Sequence, residues 1–320
     1  MSKFSSKIKK WGPVKWFINL TKKIVLPGFE KLPLHDVGKF FLKGLRHGAL
    51  NTRATSVSYY FFMAIFPSII FLFTLIPYVP IDDFQIRLFE QLRLLMPKAA
   101  FQEAESTIVE IISKPHKGVL TIGFILTLYY STNGVNALIG AFNSTYHTVE
   151  TRKWWQMRLI SFSLVGITTA ILIVGIALLI YTEYIFNRFF HDHKAILYYV
   201  ILFGRWLILF VIFFMCVSFI YYLGPSKKNK WKFFSAGSML ATVLSILGSV
   251  GFAYYVNHFG SYNKLYGSIG TLIMIMVWIY FNSFILLLGF ELNASIHSAK
   301  NQKKELDFSL VEEKEIEQKA

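Results

Sequence analysis

Charge is scarce in this 320-residue chain: 16% of its residues are Asp, Glu, Lys or Arg, against about 25% in an ordinary soluble domain. Acidic residues are the scarcest, 18 against 33 Lys and Arg, for a formal charge of +15. Cysteine is nearly absent. The single Cys216 lies inside an apolar run, which excludes an intrachain disulfide or a thiolate metal cluster and leaves it as a small apolar side chain. There is no Gly-rich phosphate-binding loop, so transport driven by ATP bound to this chain is excluded. A cleavable signal pattern is also missing from the first fifty residues, which are basic and amphipathic. Apolar residues are plentiful, at 54% hydrophobic and 18% aromatic. They come in runs of about twenty or more, the length that crosses a hydrocarbon layer roughly 30 Å thick. The fold class is therefore an all-α, polytopic membrane protein.

Six spans are expected, over residues 55–80, 118–142, 159–182, 196–223, 234–256 and 268–290. Outside them, the first 54 residues hold 12 of the 33 Lys and Arg, and the 143–158 loop, the 224–233 loop and the tail hold 3, 4 and 5 more. The loops on the opposite side are poorer in positive charge. Basic residues are retained on the cytoplasmic side, so both termini are expected there, and an even number of spans requires the same. The organisation is thus a basic amphipathic segment 1–54, a membrane domain 55–290 with an outer helical loop 81–117, and a mixed acidic tail 291–320. The N-terminal segment alternates Lys with Trp, Phe and Ile, a pattern that lies on anionic headgroups and argues against nucleic acid as partner. In the outer loop, Phe84, Leu88, Leu92 and Leu95, then Ile108, Ile111 and Ile112, suggest two short amphipathic helices divided at Pro97. The last twenty residues read as a solvated or disordered tail.

Residues 259–295, FGSYNKLYGSIGTLIMIMVWIYFNSFILLLGFELNAS, resemble the closing segment of the YihY/BrkB family of bacterial inner-membrane proteins. RATSVSYYFFMAIFPSIIFLF from Arg53 and STNGVNALIGAFNSTY from Ser131 also fit, so the resemblance covers about 40–296. Where many relatives carry Ser-Arg-Gly-Val, this chain has Thr132-Asn133-Gly134-Val135, so an arginine's role there is absent or moved. The resemblance implies six helices in the cytoplasmic membrane. It also carries an old ribonuclease name, which the residues do not support: His35, Asp36, His47, His147, Glu150, Glu291 and His297 are scattered without paired spacing.

Several residues have both a functional and a structural reading. Arg205 is the only Lys or Arg inside the expected spans, and it either faces a wet cavity or headgroup or snorkels outward. Ser131-Thr132-Asn133-Gly134 either breaks the second span to line a cavity, or ends it at the interface ahead of an amphipathic helix 135–146. Gly267-Ser268-Ile269-Gly270, preceded by Lys264, caps the last span from outside and offers N–H groups to an anion. Gly237, Ala241, Ser245, Ser249 and Ala253 recur every fourth residue, a stripe for close helix packing. Pro67 should kink the first span. Glu291 closes the sixth as a structural partner for a basic residue. His191-Asp192-His193 reads as a polar turn and not a metal site. No cofactor or metal is expected. Arg205, Asn133, Thr132, Lys264 and Ser268 are the expected substrate contacts. The function expected is translocation of a lipid or similar amphiphile in envelope biogenesis, with a non-catalytic scaffold as the alternative. Membrane lipids are the expected partners, with a second copy of the chain or an envelope protein left open.

Overall fold

The structure is a computed structural model that describes residues 19–47, 49–78, 117–145, 150–189, 195–226, 232–258 and 261–319. Among these all regular structure is helical: α1 Leu34–His47, α2 Leu50–Leu75, a short 3-10 turn Ile76–Tyr78, α3 Lys117–Thr145, α4 Trp154–Phe189, α5 Ala195–Leu223, α6 Ala236–His258 and α7 Ser261–Lys319. The protein is an all-α polytopic membrane protein, and each expected span falls on one of α2 to α7, although the first runs past the end of α2 at Leu75 and the fifth starts two residues before α6. Five of these, all but α3, contain a stretch long and apolar enough to cross a membrane. The second half of α3 carries Ser131, Thr132, Asn133, Asn136 and Asn143, which dilute its hydropathy. The expected outer helices 83–113, residues 1–18 and His191-Asp192-His193 lie outside the described residues.

Within the long helices, hydroxyls on the apolar surface donate to their own backbone. Ser68 bonds the Ala64 carbonyl at 2.6 Å, Thr127 that of Gly123 at 2.7 Å and Thr168 that of Leu164 at 2.7 Å. A polar side chain satisfied by its own helix can face lipid without leaving a donor unpaired. Pro67 lies inside α2 and the helix continues past it.

Packing is concentrated at one end of the bundle. Val57 of α2, Phe142 of α3, Tyr221 of α5, Ala241 of α6 and Phe290 of α7 meet there in one core. The rings of Phe142 and Phe290 stack at 4.0 Å, with Tyr221 edge-on to both at 5.5 Å. The Tyr221 hydroxyl donates to the Leu286 carbonyl at 2.6 Å. Elsewhere the helices present bare Leu, Ile and Val: only 11% of an apolar 18-residue stretch of α4 is buried. A surface so apolar is covered by lipid tails and not by water.

Helices α6 and α7 cross in near backbone contact. A Cβ built on Gly237 would stand 2.1 Å from the Gly289 carbonyl oxygen. Ala241 and Ser245 of the small-residue stripe are buried beside this crossing, whereas Ser249 is half-buried and Ala253 exposed. The same crossing completes the start of α6. Ser235 Oγ accepts from the Ser238 N–H at 3.1 Å, Ser238 Oγ lies 3.2 Å from the Ser235 N–H, and Asn293 Oδ1 takes the Gly237 N–H at 2.8 Å. Three N–H groups that the helix cannot satisfy internally thus find partners.

Four expectations are corrected. Residues 131–134 neither break nor end α3, which runs unbroken to Thr145. Gly267, Ser268 and Gly270 do not cap a helix N-terminus, because α7 begins at Ser261 and passes through them ahead of its apolar stretch from Leu272. Of the two readings of the tail, disorder is overturned: 301–319 continues α7, exposed at 301–306, and the resulting 59-residue helix is roughly 90 Å long. The first span begins at Leu50, not at Thr55. The chain before it is folded back: Phe29, Leu32 and Val37 pack on Ile296 and Ala299, and Glu30 pairs with Lys300 and, at 3.5 Å, with Lys232.

Candidate functional site

A cleft of about 250 Å³ opens at the packed end of the bundle, lined by Phe40, Lys43 and Gly44 of α1, Arg53 of α2, Ser144 and Thr145 of α3, and Glu291, Ala294, Ser295 and Ser298 of α7. Glu291 is only 5% exposed, and a Cβ on Gly44 would fall 1.7 Å from its Oε1. A larger residue at 44 would therefore have to displace the Glu291 carboxylate from its present position under α1. Arg53 Nη1 donates to Thr145 Oγ1 at 3.1 Å and to the Ala141 carbonyl at 3.5 Å. The Thr145 hydroxyl can give its one proton to the Ala141 carbonyl, 3.2 Å away, or to the Glu291 carboxylate. Arg53 and Glu291 attract one another across it. Ser144 and Ser295 donate to the Gly140 and Glu291 carbonyls at 2.9 and 2.8 Å, which leaves their lone pairs as acceptors. One side of the cleft is thus cationic and donating, the other anionic and accepting.

A second polar group lies between α3 and α4. Arg158 Nη1 donates to Asn133 Oδ1 at 2.6 Å and to Thr132 Oγ1 at 3.3 Å, and its Cζ is 5.6 Å from the ring centres of both Tyr129 and Trp154. Beside it Ser161 Oγ bonds Asn136 Oδ1 at 2.5 Å. Gly134 faces Phe61 of α2, whose ring carbons would lie 2.9 Å from a Cβ there. The polar tetrad therefore stays helical because its neighbours satisfy it: Thr132 bonds its own Tyr129 carbonyl at 2.9 Å, Asn133 takes an arginine, and Gly134 admits a ring. The guanidinium at this level comes from α4 and not from position 133.

A latch joins the two short connections at this end. Glu150 receives Asn143 Nδ2 at 2.6 Å, and Arg152 Nε and Nη2 at 2.7 Å each; Arg152 Nη2 also reaches the Gly224 carbonyl at 2.9 Å, and Asn143 Oδ1 takes the Ser226 N–H at 3.0 Å.

The profile of the family described as virulence factor BrkB matches residues 41–309. The chain belongs to the BrkB family. The match takes in Arg53, Arg158, Glu291 and all six long helices except the last ten residues of α7. Among BrkB relatives, a ribonuclease-like protein of Bacillus subtilis, YfkH, is 29% identical over 78% of this chain and 91% of its own length. UPF0761 membrane proteins of Haemophilus influenzae and Vibrio parahaemolyticus are 24% and 25% identical, over 85% and 84% of this chain and 98% and 84% of theirs. No solved structure matches.

Of the expected contacts, Thr132 and Asn133 are brought together with Arg158, and Arg205 stands half-buried in α5. The backbones of Lys264 and Ser268 belong to α7, and their side chains lie outside the described residues. Arg53 is a basic residue that shares the cleft with Glu291. Sequence reading passed over Arg53 and Arg158 because both fell just outside the expected spans, at 55 and 159. The signal available was a lone arginine within one turn of each span's start.

The latch makes a pH prediction. The Arg152 side chain, with its backbone N–H and Asn143, holds the Glu150 carboxyl below the usual carboxylate range. A depressed folded value contributes stability that is fully present above the unfolded value of about 4.3 and lost as pH falls through the folded one. Glu150→Gln is therefore expected to melt earlier than wild type at pH 7. The gap between the two should close when melting is repeated below about pH 4; a gap that does not change with pH would contradict this.

Proposed function

We propose that the protein translocates a lipid or similar amphiphile in the bacterial cytoplasmic membrane, with both termini on the cytoplasmic side, in the service of envelope biogenesis. The observation that carries this reading is the cleft between α1, α2, α3 and α7, polar on opposite walls and set in a bundle whose long helices expose many large apolar side chains. An amphiphile needs a polar seat only for its headgroup, since its chains stay in the bilayer. Arg205, half-buried in the apolar length of α5, supplies a further polar step. The arginine and lysine of the cleft suit a phosphate or carboxylate on that headgroup.

A nuclease is the reading suggested by the name of the Bacillus relative. The carboxylates it would need are separately engaged: Glu30 by Lys300 and Lys232, Glu150 by Arg152, Glu291 by Arg53 through Thr145. Such dispersal fits structural ion pairs better than one acid–base or metal constellation.

Transfer of fluorescent anionic and zwitterionic lipids in proteoliposomes tests the proposal. Wild type should outpace empty liposomes. Arg205→Ala, and Ser298→Phe, which fills the cleft without removing a charge, should lose most of that transfer while inserting and melting like wild type. Transfer no faster than in empty liposomes would refute unassisted translocation and favour a scaffold that recruits envelope-assembly partners.

A further inference from the structure

Arg158 is a cation at the bilayer surface whose charge no described residue neutralises. Both of its hydrogen bonds leave from Nη1, to the uncharged Asn133 and Thr132, and among the described residues Nε and Nη2 have no acceptor and no carboxylate pairs with it. Two aromatic faces bracket the guanidinium at 5.6 Å, which fixes its plane without consuming its donors. Its level is set by the chain. Arg158 is four residues from the start of α4 at Trp154, about 6 Å along the axis. Trp154 and Trp155 there are 75% and 56% exposed, and Tyr129 is 52% exposed. Exposed Trp residues at the start of an apolar helix mark the headgroup layer, and Tyr129, from the middle of α3, meets the guanidinium at that level.

A half-buried arginine in that layer without a counter-charge is costly, and its unused edge of two parallel N–H groups matches two oxygens of a phosphate. We propose that Arg158, held by Asn133 and Thr132 and flanked by Tyr129 and Trp154, is a seat for a phosphate group bearing net negative charge, of the kind an anionic phospholipid presents at the bilayer surface. The seat lies between α3 and α4, and none of its five residues lines the cleft. The inference rests on the membrane-spanning fold and not on translocation, because a protein that moves no lipid can still hold one.

The test uses the full chain in nanodiscs of equal phosphatidylglycerol and phosphatidylcholine, with retained lipid read by native mass spectrometry. Arg158→Gln removes the charge. Asn133→Asp keeps the arginine but gives it an internal carboxylate at the atom now 2.6 Å from Nη1. Thermal midpoints check that both variants fold, and the second covers the case in which the first does not. Wild type should retain phosphatidylglycerol in preference, and both variants should lose that preference by about tenfold. Inorganic phosphate is titrated in parallel against detergent-solubilised protein, with the emission of the adjacent tryptophan as readout. A phosphate-dependent change that displaces phosphatidylglycerol and vanishes in both variants supports the seat and assigns it to free phosphate as well. The same lipid preference in all three proteins, no preference in wild type, or a loss confined to Arg158→Gln would each overturn the proposal.

Discussion

Gly237→Ala is expected to destabilise the bundle by roughly 3 kcal/mol, the upper end of what overpacking costs. The added methyl would stand 2.1 Å from the backbone oxygen of Gly289 and 2.6 Å from Cγ and Oδ1 of Asn293. Neither neighbour can turn away cheaply. The first is helix backbone, and the second holds the Gly237 N–H at 2.8 Å and donates to Ser235 Oγ at 2.9 Å. Separating α6 from α7 to make room would also open the contacts of Ala241 and Tyr221, which lie 2.7 and 2.6 Å from where a Cβ on Gly289 would sit. Gly251→Ala, in the same helix, is the control. Nothing lies within 4 Å of a Cβ there, so helix propensity should make it neutral or stabilising by up to about 1 kcal/mol. Thermal or denaturant melting in detergent reads both. If the two variants melt alike, the close crossing of α6 and α7 is refuted.

Glu291→Gln, the second large effect, is expected to cost roughly 2 kcal/mol. The shape against Gly44 is preserved, but Arg53 loses the charge that offsets its partial burial. Arg53 is not fully enclosed, and solvent screening keeps the figure below the several kcal/mol of a deeply buried pair. Arg53→Met should cost a similar amount by leaving the carboxylate without its cation. The double variant should then cost less than the sum of the two, with a coupling of at least 1 kcal/mol. Additive losses would mean that Arg53 matters only for the Thr145 and Ala141 oxygens it bonds, and that the charge pair across the cleft contributes nothing.

Much of the architecture was legible in the chain because a bilayer imposes it locally. A long apolar run must satisfy its own backbone, so it becomes a helix whatever its neighbours do. The six expected spans accordingly fall on α2 to α7, even though α3 is too polar in its second half to qualify by composition. Of the small-residue stripe 237, 241, 245, 249 and 253, the first three positions lie at the crossing and the last two do not, since periodicity along one helix shows which face can approach another but not how far the contact extends. Membership of the BrkB family was legible from the Gly-Phe-Glu-Leu-Asn-Ala exit of the last span, and the profile match over 41–309 bears it out.

The errors came where a residue's meaning depends on what lies opposite it. Ser131-Thr132-Asn133-Gly134 looked like a break or an end of the second span because four weak helix formers adjoin. It is continuous helix because Arg158, the Tyr129 carbonyl and Phe61 absorb what those residues expose. The tail read as solvated or disordered because of its run of glutamates, yet α7 carries through it, anchored just before it by Lys300 on Glu30 and by Ile296 and Ala299 on Phe29 and Leu32. Arg53 and Glu291 are 238 positions apart, and no spacing rule links them. The sequence alone determined that this chain spans a membrane by helices, and in what order, because burying backbone in lipid is a local requirement. Only the tertiary structure decided which charges face one another, because that depends on helix crossings set by close contacts such as Gly237 on Gly289 and Gly44 on Glu291.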